Sequence, residues 1–132
     1  MWRITPEYIT KLRKNEIFVF GSNTRGQHIG GAARIAYEKF GAEWGNGFGL
    51  QGQSYAIPTM FGDVEDIRPY VNEFIEFAKK NKSKRFYVTK IGCGIAGYTV
   101  DEIAPLFEGA VDIPNIYLPS EFWEVIEDEQ EA

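Results

Sequence analysis

The side chains of this chain that are able to do chemistry cluster in two glycine-rich stretches. The first, "SNTRGQHIGGAA" from Ser22 to Ala33, holds the only histidine, His28. The second, "IGCGIAGY" from Ile91 to Tyr98, places the only cysteine, Cys93, among three glycines. A turn needs one glycine, and three so close together point to something approaching the backbone. Without Cβ atoms, successive N–H groups converge on a phosphate, and a helix start adds partial positive charge. Gly92, Gly94 and Gly97 match G-x-G-x-x-G between a predicted strand and a capped helix. They read as a phosphate loop or as a tight strand-to-helix turn. Glu121 follows the next strand, where a ribose-binding carboxylate sits in a dinucleotide fold. Only eleven residues follow it, fewer than further βαβ units need, so a dinucleotide-dependent oxidoreductase is not expected. Gly26 to Gly31 lacks the Gly-Lys-Ser/Thr ending of an ATPase phosphate loop. Gly47, Gly49 and Gly52 match the glycine pattern by letter but open no helix, so they read as a loop.

Single residues carry two readings each. His28 beside a phosphate would donate a hydrogen bond or act as acid or base; otherwise it is a surface loop histidine. Cys93 before a helix start would be a stabilised thiolate or simply a small residue. Asn23, at a strand end, would contact a ligand or cap its own turn. Arg25 reads as a solvated loop charge within reach of a phosphate, and Gln51 and Gln53 as pocket lining or loop polarity. One Cys and one His do not make a structural metal site, and no metal or cofactor is expected.

The elements that must position these residues alternate along the chain. Thr5 and Pro6 predict a short helix to about Lys14. "EIFVFG" predicts a buried strand ending at Gly21. A helix begins near Gly31, buries Ala33, Ala36, Tyr37 and Phe40, and ends at Gly41. "SYAIP" predicts a short strand. Asp63 caps a helix burying Ile67, Val71, Phe74, Ile75 and Ala78. Lys79, Lys80, Lys82, Lys84 and Arg85 complement the end of its dipole, or bind phosphate. "RFYVTKI" is a strand, Thr99 and Glu102 form a capping box, and Pro105 shortens or kinks the helix they open. "NIYLP" is a strand, and Ser120 caps a last helix with Phe122, Trp123 and Ile126 inside. This alternation predicts one α/β domain over residues 1–132 with a mixed, mostly parallel sheet.

The net charge of −5 is uneven. The last twelve residues carry six carboxylates, leaving fourteen basic residues against thirteen acidic ones in the body. The body is therefore not a basic nucleic-acid binder, and the acidic tail reads as a solvated helix end. A single cysteine excludes an internal disulfide and fits a reducing compartment. No run approaches a membrane span, and "MWRITPEYI" lacks a signal-peptide pattern. A cytoplasmic protein without a membrane or nucleic-acid partner is expected; its protein partner is left open.

The order of "FVFGSN", "GGAARIAYEKFG" and "IGCGIAGY" resembles the macro domain, the module that binds ADP-ribose. Together with "GLQGQSYAIPT" and "IAPLF" it is similar to a compact macro-domain-like family of bacterial and phage proteins. The resemblance spans about Ile17 to Leu118. It implies a three-layer α/β/α fold with one outer strand fewer than full macro domains. It implies that Asn23, beside Ser22, contacts the distal ribose and takes part in any catalysis. It implies that Gly30, Gly31 and Ala32 form one diphosphate loop, and that Gly92, Cys93, Gly94, Ile95, Ala96, Gly97 and Tyr98 form the other, with Tyr98 by the distal ribose. The family's "GDI" segment, whose aspartate reads adenine, is not found before Ile17. Ala96 stands where one hydrolytic branch carries a catalytic aspartate, with Asp101 the nearest carboxylate downstream. The resemblance implies binding of ADP-ribose or a related nucleoside diphosphate. Any turnover would hydrolyse an ADP-ribosyl ester or phosphate, with Asn23 and His28 as the catalytic candidates. Two other readings stand beside it: a non-catalytic module that sequesters a nucleotide signal in bacterial or phage defence, and a protein-interaction domain that uses the acidic tail.

Overall fold

The computed structural model describes residues 3–131 and side chains as far as 128. The end of the acidic tail, residues 129–132, therefore lies outside the described side chains. Five strands, β1 (Glu16–Ser22), β2 (Gly49–Gln51), β3 (Ser54–Pro58), β4 (Arg85–Val88) and β5 (Ile116–Tyr117), form one sheet in the order β2-β3-β1-β4-β5. All neighbours are parallel except β2 and β3. The helices are α1 (Gly31–Lys39), α2 (Val64–Lys80), α3 (Val100–Ile103) and α4 (Ser120–Glu131), with a 3₁₀ segment at Ala104–Ala110. The fold is thus α/β with a mixed, mostly parallel sheet, as the alternation predicts.

The continuous apolar run of β1 suits a strand buried on both faces. Alternate side chains point to opposite faces of a strand. Ile17 and Val19 accordingly enter one core, with α2, the 3₁₀ segment and α4. Phe18 and Phe20 enter another, with Ala33, Ala36 and Phe40 at α1. Every apolar position expected for α2 is buried. In α1 the expectation fails at Tyr37, which is 46% exposed and packs edge-on against Trp44 instead.

Three further local expectations are corrected. Residues 5–13 form no helix. Thr5 N–H donates to Leu118 O at 2.8 Å and Leu118 N–H to Arg3 O at 3.0 Å, so the cap candidate lies in an extended pairing. Arg3 fixes that pairing: its guanidinium donates to Ile113 O at 2.8 Å and lies 5.4 Å over the Trp123 ring. Tertiary pairing overrides the local cap signal. Ile9 and Leu12 pack against the α1 core, partly buried. Second, β2 joins β3 through a turn at Gly52 and Gln53, with Gly52 at φ +61°; its three residues are too few to show an alternating pattern. Third, Ser120 opens α4 as its first residue, and the first-turn N–H groups of Phe122 and Trp123 reach Pro119 O at 3.0 and 3.2 Å.

The Thr99–Glu102 capping box forms as expected, with Thr99 N–H donating to Glu102 Oε1 at 2.9 Å. Pro105 lacks an N–H and cannot continue an α-helix, and the chain tightens into the 3₁₀ segment there. Among the described residues, no helix is long and apolar enough to cross a membrane.

Candidate functional site

Successive connections of the sheet run in opposite directions from its centre. β1 leads through α1 to β2 and β3 on one side, and β4 leads to β5 on the other. The connections part between β1 and β4, and in open α/β sheets ligands sit at the strand C-terminal ends of such a switch point. A cleft of about 410 Å³ lies there, within the range of small-molecule sites. One wall carries Ser22, Asn23, Gly30, Gly31 and Ala32, and the other Gly92, Gly94, Ile95 and Ala96. The two glycine stretches therefore meet across the strand ends. A Cβ on Gly30 would lie 3.2 Å from Ile95 Cδ1, which measures how closely they approach.

Both walls present unpaired backbone donors. α1 has no side-chain cap and no acidic residue in its first turn, so its first N–H groups lack intrahelical partners. Among the described residues, the N–H groups of Gly92, Gly94, Ile95 and Ala96 donate to no acceptor. Turn bonds from Gly97 N–H to Gly94 O at 3.0 Å and from Tyr98 N–H to Gly92 O at 2.8 Å hold the second loop open. Three exposed apolar side chains, Ile29, Met60 and Ile95, rim the cleft.

Several expected site residues stand elsewhere. His28 is buried, not a surface loop residue, and lies outside the cleft. Its Nε2 bonds Glu43 O at 2.8 Å, and its ring packs edge-on against Phe20 and Trp44. Cys93 turns towards the α2 core, and burial pushes its thiol up against the opposing charge of Lys90, which disfavours the thiolate. Tyr98 donates to Gly62 O at 3.1 Å and, like Gly97, does not line the cleft. Asn23 lines it, but its amide closes the loop: Oδ1 accepts from Gln27 N–H and Nδ2 donates to Gln27 O, both at 2.9 Å. Ser22 Oγ donates to Gly47 O. Gln51 braces the neighbouring loop, with Glu43 N–H donating to its Oε1 at 2.7 Å.

Thr59, Thr89 and Lys90 also line the cleft, and no sequence motif marks them. Each follows the C-terminal end of a parallel strand, and only strand order shows that these ends adjoin β1. Thr89 Oγ1 donates to Val19 O at 2.7 Å and Thr59 Oγ1 to Ser22 O at 3.3 Å. Lys90 Nζ meets Glu121 Oε2 of α4 at 2.8 Å, and that pairing raises the Lys90 pKa. A second cleft of about 530 Å³ shares Gly31, Ala32, Thr89 and Lys90 with the first. Phe18 and Ile35 line it, Tyr8 stands exposed beside them, and buried Thr5 Oγ1 there has no hydrogen-bond partner among the described residues.

Among the described residues, no group of three or more His, Cys, Asp or Glu could hold a metal ion. None of the described residues lining the first cleft is of those types. Comparison with the profiles of known protein families, with curated proteins and with solved structures finds no match to this chain.

Proposed function

We propose that the protein binds ADP-ribose or a related nucleoside diphosphate across the two adjoining clefts, as the resemblance to macro domains implies. The observation that carries this reading is the meeting of Gly30–Ala32 with Gly92–Ala96, two glycine loops from distant parts of the chain. Their N–H groups suit two adjacent phosphates. Helices on both faces of the sheet agree with a three-layer macro-like arrangement. The nucleoside extends into the second cleft, where Phe18 and Ile35 offer an apolar wall. Asn23 holds the first loop in shape, and its remaining N–H and lone pair are open to a ribose hydroxyl.

A binding module is favoured over a hydrolase by one observation. The described residues lining the first cleft include no carboxylate, imidazole or thiol, and the one amine there, Lys90, is held protonated by its pairing with Glu121, so a general base is missing from that lining. A thermal-shift comparison of ADP-ribose, ADP and AMP tests the reading. ADP-ribose at ~100 times its dissociation constant adds about 2.7 kcal/mol of stability. No shift with any of the three removes the nucleotide reading. Release of ADP-ribose from an ADP-ribosyl ester, lost in Asn23→Ala, would replace the binding module by a hydrolase.

A further inference from the structure

We infer that Lys90 is the cation that reads the ligand's phosphates, and that Glu121 holds it in reserve as a competing partner. This deepens the nucleoside-diphosphate reading and rests on it. Lys90 stands where the two clefts join and is the only basic side chain among the described residues lining the first. It follows Thr89 directly after β4, so the strand end fixes its Cα at the cleft wall. Its Nζ now bonds Glu121 Oε2 at 2.8 Å, and Glu121 lines the second cleft only. Both side chains are close to half exposed, so the pair is held weakly. An exposed ion pair contributes little, whereas a charge-assisted bond to a phosphate in a partly closed cleft is stronger. A diphosphate therefore draws Lys90 away from Glu121 at small cost. The backbone N–H groups supply shape, and Lys90 supplies the one full positive charge among the described residues lining the first cleft, which selects a phosphorylated ligand over a bare nucleoside.

Calorimetric titration at low salt tests this with ADP-ribose and inorganic pyrophosphate as probes. Lys90→Met should weaken ADP-ribose about tenfold to a hundredfold, the range of a hydrogen bond to a charged group, and Lys90→Arg should stay within a few-fold of the parent. Glu121→Gln should tighten binding by up to about fivefold, the most that an exposed pair withholds. In a Lys90→Met background Glu121→Gln should change nothing. Equal binding by Lys90→Met and the parent overturns the inference and leaves the site reading standing. Weaker binding by Glu121→Gln also overturns it, because Glu121 would then be a ligand contact. Pyrophosphate bound through Lys90 without any ADP-ribose binding keeps the inference and removes the nucleoside. No binding of either probe removes both.

Discussion

Gly94→Val separates a loop that receives a ligand from a loop that only turns. Gly94 lines the cleft, its φ is not positive, and a Cβ there meets nothing within 4 Å. The fold should therefore accept valine, with a stability change of about 0.5 kcal/mol or less. The new methyl groups project from the loop whose free N–H groups are assigned to the diphosphate. Losing two hydrogen bonds to a charged group, at about 1.5–3 kcal/mol each, weakens binding at least about a hundredfold. At a ligand concentration ~100 times the parent's dissociation constant, the parent gains about 2.7 kcal/mol and the variant about 0.4 kcal/mol. For a chain of this size those gains correspond to melting shifts of roughly 10 °C and 2 °C. Differential scanning fluorimetry with ADP-ribose reads both. A variant that melts like the parent without ligand and shifts like it with ligand would refute the assignment of this loop.

Other glycines respond differently. A Cβ at Gly47 would lie 2.1 Å from Asn23 O, so Gly47→Ala should lose at least about 2 kcal/mol in urea unfolding. His28→Ala should lose roughly 2–4 kcal/mol, as large-to-small core changes do, yet leave the dissociation constant for ADP-ribose of the folded protein unchanged. Cys93, whose thiol burial pushes up, should react with iodoacetamide at pH 8 more slowly in the folded than in the urea-unfolded protein. Acid should destabilise the fold through Glu16. Burial works to raise its pKa, but bonds from Arg13 N–H and Tyr87 Oη–H, both at 2.7 Å, and the Arg13 and Arg85 charges bring it below its ordinary 4.5. A depressed folded pKa gives stability that is present above pH 4.5 and lost as the pH falls through the folded value. Melting curves from pH 7 to 3 should show that loss, and Glu16→Gln should flatten it.

What the sequence disclosed follows from how local each signal is. The β1 run, the α2 face and the Thr99–Glu102 box depend on neighbouring residues, and all three stand in the structure. The N-terminal segment carries an equally local signal in Thr5 and Pro6, but pairing of Arg3 and Thr5 with Leu118, from the far end of the chain, overrules it. The glycine loops were visible as loops, and their meeting follows from strand order. Lys90 lay hidden because a lysine after a strand has no pattern of its own; only the adjacency of β4 to β1 places it in the cleft. His28 misled for the opposite reason. A polar residue between glycines looks solvated, yet Phe20, Tyr37 and Trp44 enclose its ring.

The most direct test of the central claim is an amide ¹H–¹⁵N titration of the protein with ADP-ribose. The account predicts saturable shifts at Gly30, Gly31, Ala32, Gly94, Ile95 and Ala96, with one dissociation constant for both loops. Unmoved loop resonances at millimolar ADP-ribose, or shifts confined to the basic cluster at Lys79–Arg85, would contradict it.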